Sequence, residues 1–490
     1  MTSEESTLVS SLEIRGLFGS KYLHVDLTGE DDIRTQGRRL SLLYGNNGSG
    51  KTTVLKLLWH ALSPSDESGH RSEIASTPFE RFTITLGSGD VINFVKTNGP
   101  VGDFTVTVAN NKKRVVEQIY RAREGKAIPV AHAPERSDAL QQKPLFEIDP
   151  PPLLMPDHLR EDAMSQQVWR ESYEAVMDST RVREIRHDTF VRYLKNLKAG
   201  PYMLADDRRI YGDDIEPKGK RRRIRFQEFD YEAEEERSHG VAAELTTALK
   251  RSAEMIQRMI IRGNVSGSRG SNNVYLGILE KIAKSDQVDS YATTRQDLSD
   301  KLKAISHKTE QYSKYGLVPK LREDSFLEVL RRTPDEKIGV AEDVLQPFLE
   351  AQEARLDALS SVARLVATLS REVNRFLESS GKTFRYSTQH GISVISEDGH
   401  VLQPESLSSG ERQILLLLLN TMLARQSTRL FLIDEPELSL NVKWQRQLMN
   451  ALLSLTEGAP VQFIVATHSI EVITGHRDSL TRVIPKILED

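Results

Sequence analysis

The sequence predicts an α/β fold, in which a mixed sheet with an antiparallel β subdomain is interrupted by a mainly helical insertion. Short apolar runs typical of buried strands occur near both ends of the chain. Alternating apolar stretches lie at residues 82–108, and charged, helix-like sequence fills the middle. We therefore expect residues 1–125 and 381–490 to be two halves of one domain, with residues 126–380 inserted between them.

The first half begins with a strand around Ile14, a short apolar strand at 40–44 and a helix at 54–62, whose leucines have helical spacing. Three alternating stretches follow, with turn residues between them, at 82–86, 91–95 and 104–108. Alternation with intervening turns predicts an antiparallel meander.

The insertion is predicted to be helical. A proline-rich connector at 149–152 precedes it, and a Gly/Ser/Asn-rich stretch at 263–273 predicts a loop between helices. The longest predicted helix covers 340–377, with apolar residues in steps of three or four. This stripe predicts a face that packs against another element of the protein, and a short coiled coil is the second interpretation.

Strand-like sequence returns near the end of the chain. Short strands are predicted at 384–386, 392–395 and 401–402. The apolar runs at 429–433 and 461–466 are typical of parallel strands that are buried on both faces.

The composition is ordinary for a soluble protein, with 38% hydrophobic and 28% charged residues among 490. A net charge of -4 excludes a protein that coats nucleic acid with a uniformly basic surface. A local basic patch remains compatible with this charge. The absence of cysteine excludes disulfides and cysteine nucleophiles. The apolar run at 414–419 is far shorter than the ~20 residues that span a bilayer. With no secretion signal, we expect a cytoplasmic protein without membrane contact.

The strongest motif fits the phosphate-binding loop pattern in full: Gly45, Asn46, Asn47, Gly48, Ser49, Gly50, Lys51 and Thr52. Glycines let backbone amides turn toward phosphate oxygens, and the start of the following helix adds positive potential. We expect Lys51 to reach the β- and γ-phosphates and the hydroxyl of Thr52 to hold Mg²⁺, with Thr53 beside it. The motif predicts a nucleotide site without naming a family.

An apolar strand at 430–433 ends in two carboxylates, Asp434 and Glu435. Asp434 is placed to coordinate Mg²⁺, directly or through water, and Glu435 to polarise an attacking water. In isolation, a strand followed by a solvated acidic turn is a plausible but less favoured explanation of these residues. Their pairing with the phosphate loop favours the catalytic interpretation.

Two further segments carry candidate residues. Ser408, Ser409 and Gly410 open an apolar helix, where amides and a hydroxyl could meet an anion, although a well-capped helix explains them as well. His468 follows the strand at 461–466, at the end where open α/β sheets bind ligands. It could contact a γ-phosphate or be structural.

These four elements, in this order, resemble the Walker A loop, signature, Walker B strand and switch histidine of the ABC-type P-loop ATPase head. The resemblance implies ATP and Mg²⁺ as cofactors and ATP hydrolysis with Glu435 and His468 as catalytic residues. It also implies at least a homodimer of heads, in which Ser408 and Gly410 act on ATP held by the second subunit; a higher homo-oligomer stays open. Residues 437–441 resemble the D-loop, with Asn441 where relatives usually carry Asp or His. No glutamine is recognisable as the Q-loop residue.

Lys51 and Ser408 are 408 − 51 = 357 positions apart, far more than in transporter subunits. This long insertion and the sequence 434–440 resemble the OLD/SMC-like branch, which includes ATPase subunits of bacterial antiphage defence systems. OLD nucleases carry a nuclease domain after the ATPase, and too few residues follow His468 here for one. We therefore expect any attack on a target to need a separately encoded effector.

The preferred hypothesis is an ATP-switched sensor or scaffold subunit of a prokaryotic antiphage defence complex that controls such an effector. The alternative is a DNA recombination or repair ATPase that clamps duplex DNA. A basic cluster at 218–225 would serve DNA binding. Acidic residues at 228–236 follow it at once, and a self-compensating charged loop is the simpler interpretation.

Overall fold

The computed structural model describes residues 8–28, 39–65, 69–110, 113–130, 188–205, 210–212, 233–284, 294–425 and 428–487. The chain divides into two compact units. Unit 1 comprises residues 1–221, 427–438 and 460–490, and unit 2 comprises residues 222–426 and 439–459. The predicted fold class is confirmed: the fold is mixed α/β, with parallel and antiparallel sheets and a mainly helical region in the middle of the chain.

Strands and helices are numbered separately, each in chain order. The strands are β1 (Val9–Leu17), β2 (Lys21–Asp26), β3 (Leu40–Tyr44), β4 (Arg81–Leu86), β5 (Asp90–Lys96), β6 (Phe104–Asn110), β7 (Lys113–Arg123), β8 (Lys126–Val130), β9 (Tyr202–Leu204), β10 (Ile210–Tyr211), β11 (Thr383–Ser387), β12 (Gly391–Ile395), β13 (Val401–Leu402), β14 (Leu430–Asp434), β15 (Gln462–Ala466), β16 (Leu480–Arg482) and β17 (Lys486–Ile487). The helices are α1 (Lys51–Leu62), α2 (His70–Ser76), α3 (Thr189–Leu197), α4 (Ala233–Lys284), α5 (Arg295–Ser313), α6 (Glu323–Arg332), α7 (Ile338–Leu377), α8 (Ser409–Ala424), α9 (Val442–Leu455) and α10 (Ile470–Thr474).

An antiparallel sheet in unit 1 has the described strand order β17-β2-β1-β4-β5-β6-β7-β8. Strands β4, β5 and β6 form the meander that the alternating stretches predict, with Phe82 opposite Phe94 and Phe94 opposite Val106. These three side chains are fully buried. Alternate residues therefore line one apolar face of the sheet.

A second sheet in unit 1 has the described order β10-β9-β14-β15-β3-β16, and β9, β14, β15, β3 and β16 run parallel. Every residue of β14 and β15 is buried, as their continuous apolar sequence predicts. The register pairs Asp434 with Ala466, and Ala466 with Leu43. The carboxyl ends of β14, β15 and β3 therefore lie side by side.

Unit 2 is built around long helices and a small antiparallel sheet of the described strands β11, β12 and β13. Helices α4 and α7 pack along one another, and α8 packs against both. The apolar stripe predicted for α7 is confirmed as buried, with Leu345 partly covered: Leu349, Leu356, Leu359, Val362, Val366, Leu369, Val373 and Phe376.

The loop predicted at 263–273 is wrong, because this stretch lies inside α4. A Cβ atom on Gly263 would lie 2.7 Å from Leu359 Cδ2 and 3.1 Å from the carbonyl oxygen of Ala358 in α7. Gly263 therefore permits a close approach between two helices. Glycine costs a helix about 1 kcal/mol relative to alanine, and packing of α4 against α7 overrides that preference here.

Three segments singled out in the sequence lie outside the described residues: the connector at 149–152, the basic cluster at 218–225 and the acidic residues at 228–232. The division into parts at residues 125 and 380 stays a prediction. Within the described ranges, no helix combines the length and the apolar character that crossing a membrane requires.

Lys96 is a buried cation in the core of unit 1. Its Nζ donates hydrogen bonds of 2.7 Å to the carbonyl oxygens of both Ile74 and Ala75 near the end of α2. The rings of Phe79 and Phe104 lie 4.7 and 5.6 Å from it. Burial lowers the pKa of Lys96 to about 8.

We predict that stability depends on pH through Lys96. Its folded-state pKa lies below that of an unfolded lysine, so the unfolded chain binds more protons between the two values. The free energy of unfolding should therefore rise from about pH 8 to about pH 10.5. Lys96→Met should remove this rise and cost about 2 kcal/mol at pH 7, because two buried carbonyls lose a charged donor. Denaturant titration across pH measures both effects, with exposed Lys113→Met as the control. An unchanged pH profile would contradict the prediction.

Candidate active site

Three of the predicted motifs meet at one edge of the parallel sheet in unit 1. The phosphate loop follows β3, Asp434 ends β14 with Glu435 just after it, and His468 follows β15. Backbone hydrogen bonds tie the three strand ends together: Glu435 N donates to Ala466 O over 2.9 Å, and Thr467 N donates to Leu43 O over 3.2 Å. Parallel strands place their carboxyl ends at the same edge, where ligands bind in open α/β sheets.

The phosphate loop has the backbone shape expected of an anion cradle. Gly48 and Gly50 have φ values of 75° and 97°, in the left-handed region that favours glycine. No side chain caps the start of α1, which leaves its first amides available to another acceptor. The hydroxyl of Ser49 is buried without a hydrogen-bond partner. A depression of about 430 Å³ lies beside the loop, lined by residues 44–49 and 482–485. The loop therefore fits a phosphate group.

Lys51 is held by three acceptors. Its Nζ donates to Gly45 O over 2.9 Å and to Asn46 O over 3.3 Å, and it lies 2.8 Å from His468 Nε2. An ammonium group has three N–H donors and no acceptor. With Lys51 as an ammonium group, His468 Nε2 is the acceptor in this contact. A phosphate oxygen can bind Lys51 only after one of these acceptors is released.

Carboxylates surround this cationic end of Lys51. Glu435 Oε1 lies 3.6 Å from His468 Nε2, and Asp434 is only 2% exposed. Burial lowers the pKa of Lys51, and the nearby negative charges of Glu435, Asp434 and Glu437 oppose that shift. Glu435 has a φ of 46°, a conformation that costs a non-glycine residue about 1–2 kcal/mol. Such strain is typical of functional positions.

The oxygen donors also fit a magnesium ion. Thr52 and Thr53 follow Lys51 in the first turn of α1 and are half-buried, and α1 packs against β14, which carries Asp434. Among the described residues, no group of three or more histidine or acidic side chains could hold a metal ion by itself. Magnesium commonly uses one or two carboxylates together with substrate phosphates. This donor set therefore suits Mg²⁺ bound together with a nucleotide.

The signature residues lie in unit 2, at the start of α8. Ser408 and Ser409 are exposed, whereas Gly410 is buried. Ser408 and Glu411 form a reciprocal capping box: Ser408 Oγ accepts from Glu411 N over 3.3 Å, and Glu411 Oε2 accepts from Ser408 N over 2.7 Å. The capping prediction is thus confirmed, and a role toward ATP stays a prediction.

Gly410 and Asn441 have packing roles within unit 2. A Cβ on Gly410 would lie 2.8 Å from the carbonyl oxygen of Ser439, so only glycine lets α8 approach that turn. The side chain of Asn441 accepts from Trp444 N over 2.9 Å and caps α9. Asparagine at this D-loop position therefore begins a helix.

Lys382 is a residue that the sequence motifs do not indicate. Its Nζ donates to both carboxylate oxygens of Glu411, over 2.9 and 2.7 Å. Burial alone would raise the pKa of Glu411, but the bonds from Lys382 and Ser408 outweigh it and lower that pKa. Lys382 therefore neutralises a buried acid at the start of the signature helix.

We predict that Lys382→Met lowers the free energy of unfolding by about 2 kcal/mol, because it leaves the buried charge of Glu411 unpaired. Adding Glu411→Gln to that variant should recover part of the loss. Lys303→Met, which removes an exposed ion pair with Asp300, should change stability by less than about 1 kcal/mol. Denaturant titration of the double-mutant cycle checks this. Additive losses would show that Lys382 and Glu411 do not interact.

The segment 202–204 adds a strand to the parallel sheet, because β9 pairs in parallel with β14. The residues after it, 206–209, and the glutamines at 141 and 142 lie outside the described residues. The Q-loop residue thus remains unassigned.

A phosphate loop, a strand ending in two carboxylates and a histidine at the adjoining strand end define a P-loop ATPase domain. A protein-family model described as "AAA domain, putative AbiEii toxin, Type IV TA system" matches residues 189–474. The match covers 474 − 189 + 1 = 286 of 490 residues and includes the signature, the Walker B strand and His468. The chain belongs to this AAA-domain family.

Solved structures with similarity to the chain include Smc head domains. The head with an extended coiled coil bound to the C-terminal domain of ScpA, from Pyrococcus furiosus, is 12% identical, with a TM-score of 0.33 and coverage of 98% of this chain and 96% of that one. The head with a coiled coil and joint from Pyrococcus yayanosii is 13% identical, with a TM-score of 0.30 and coverage of 98% and 97%. No curated protein matches the sequence.

Proposed function

We propose that this protein binds MgATP and hydrolyses it to ADP and phosphate. The convergence of Lys51, Glu435 and His468 carries this proposal, with Nζ to Nε2 at 2.8 Å and Nε2 to Oε1 at 3.6 Å. A lysine that binds phosphate and a side chain that orients the attacking water recur in enzymes that transfer phosphoryl groups to water, and Lys51 and Glu435 supply both here, with His468 beside them. Membership of an AAA-domain family supports it.

The proposed roles follow from these positions. The amides of residues 45–50 and the ammonium of Lys51 bind the phosphates. Asp434 and Thr52 hold Mg²⁺, which neutralises charge on the phosphates when bound. Glu435 orients a water molecule and accepts its proton. When phosphate replaces His468 as a partner of Lys51, the freed Nε2 of the imidazole can take up a proton from solvent and then donate a hydrogen bond to the γ-phosphate.

We further propose a dimer of heads in which Ser408, Ser409 and Gly410 meet ATP bound by the second subunit. The exposure of both serines at the start of α8, with a capping box holding their backbone, supports this arrangement. Helix starts attract anions through free amides and the helix dipole. A higher homo-oligomer would need a second contact between dimers, because a two-fold interface closes on itself.

The biological role we propose is that of an ATP-switched sensor or scaffold in a cytoplasmic antiphage defence complex, which controls a separately encoded effector. The long insertion between Lys51 and Ser408 and the sequence 434–440 are the features that favour this role. The alternative is an ATPase that clamps duplex DNA.

ATP hydrolysis with and without duplex DNA, across a salt series, separates these roles. A defence sensor whose trigger is a protein should hydrolyse ATP at a rate that DNA does not change. Stimulation by DNA that fades with salt would instead support the clamp, because phosphate contacts release counterions. Phage plating on cells that carry the gene with its neighbours, wild type or Glu435→Gln, tests defence directly. Equal plating with and without the gene would refute it.

A further inference from the structure

Glu437 has a set of contacts in unit 1 that the ATPase motifs do not assign. Its Oε1 accepts from Thr467 Oγ1 over 2.8 Å, from His468 N over 2.7 Å and from Ser469 N over 3.0 Å. One carboxylate oxygen thus accepts three hydrogen bonds from the turn that carries His468. Bonds to an ionised acceptor are roughly twice as strong as neutral ones.

These contacts join two turns that come from different strands. Glu437 lies just after β14, in a turn closed by Leu438 N donating to Glu435 O over 3.2 Å. Its three partners follow β15, and Ser469 then caps α10 by accepting from Glu471 N and Val472 N. The Glu437 carboxylate therefore links the turn that carries Glu435 to the backbone of His468.

The position of the His468 backbone determines which groups its imidazole ring can reach. With that backbone clamped, Nε2 lies 2.8 Å from Lys51 Nζ and 3.6 Å from Glu435 Oε1. Ser469 N has a second acceptor, Thr467 Oγ1, at 3.0 Å, but that hydroxyl is itself held by Glu437. Without the carboxylate, the amide of His468 loses the acceptor that fixes it.

We propose that Glu437 is a positioning residue for ATP hydrolysis: it holds His468 toward the phosphate end of Lys51 and couples it to the turn of Glu435. The inference rests on the proposed ATPase function. The Oε1 atom of Glu437 accepts from Thr467, His468 and Ser469, so the effect of Glu437 on hydrolysis should appear in the behaviour of His468.

The first test is hydrogen exchange of the His468 and Ser469 amides in the wild type, Glu437→Gln and Glu437→Ala, without nucleotide. In Glu437→Ala, exchange should speed up about tenfold or more, the equivalent of one charged hydrogen bond. Glutamine keeps an oxygen acceptor, so Glu437→Gln should lie in between. The amides of β15 should not change, and Asp478→Ala serves as the control for loss of an exposed acid. Equal exchange in the wild type and Glu437→Ala overturns the proposal.

The second test is kinetic. Glu437→Ala should lower kcat about 10- to 100-fold, as misplacement of a catalytic group does. KM for ATP should stay within about threefold, because the phosphate loop is untouched, and Glu437→Gln should recover much of kcat. Fast exchange with wild-type kcat would overturn the proposal. If the wild type hydrolyses no ATP, the proposed function is refuted. The exchange experiment would still show whether Glu437 fixes the backbone of residues 467–469.

Discussion

Glu435→Gln is expected to lower kcat for ATP hydrolysis by about 10²- to 10⁴-fold, because an amide cannot accept the proton of the attacking water. Binding of MgATP should persist, since Asp434 and Lys51 remain. The ATP-bound dimer should then accumulate, because slow hydrolysis delays the dissociation of the two heads. Phosphate release and analytical ultracentrifugation with MgATP measure the two effects.

The matched control for this variant is Glu457→Gln, which changes an exposed glutamate in unit 2. It should hydrolyse ATP at the parent rate and show no extra dimer. If Glu435→Gln itself hydrolysed ATP as fast as the parent, Glu435 would not be the base.

Lys51→Ala should weaken MgATP binding by about 10- to 100-fold, which is the effect of losing one or more hydrogen bonds to a charged group. Hydrolysis should fall to the background, because the γ-phosphate loses its cationic partner. Removing Lys51 also releases His468 from its 2.8 Å contact. Isothermal titration calorimetry with MgATP measures the affinity.

Lys113→Ala, in an exposed position of β7, is the control for loss of a lysine. It should bind MgATP as the parent does. Parent-like affinity in Lys51→Ala would show that the phosphate loop does not bind the nucleotide through this residue.

Much of the architecture could be predicted because its signals are local. The apolar run of β14 is buried along its whole length, and the stripe of α7 has helical spacing that its packing seam requires. The stretch at 263–273 misleads for the opposite reason. Its glycines indicate a loop locally, whereas the role of Gly263 depends on Leu359, nearly a hundred positions away in the chain.

The candidate site shows the same division between local and distant information. The phosphate loop, Asp434 and Glu435 are recognisable as contiguous motifs with defined chemistry. The roles of Glu437 and Lys382 depend on side-chain contacts with residues about 30 positions away, at 467–469 and 411. A single sequence contains no signal for such pairs, and only their coordinates reveal them.

The most direct test of the central claim is steady-state phosphate release from MgATP by the purified chain over a range of protein concentrations. Chelation of Mg²⁺ and Lys51→Ala provide the two blanks. We predict release above both blanks, with a rate per molecule that rises with protein concentration until heads are paired. Release no faster than in the Lys51→Ala blank, at every concentration, would contradict the assignment of this chain as an ATP-hydrolysing enzyme.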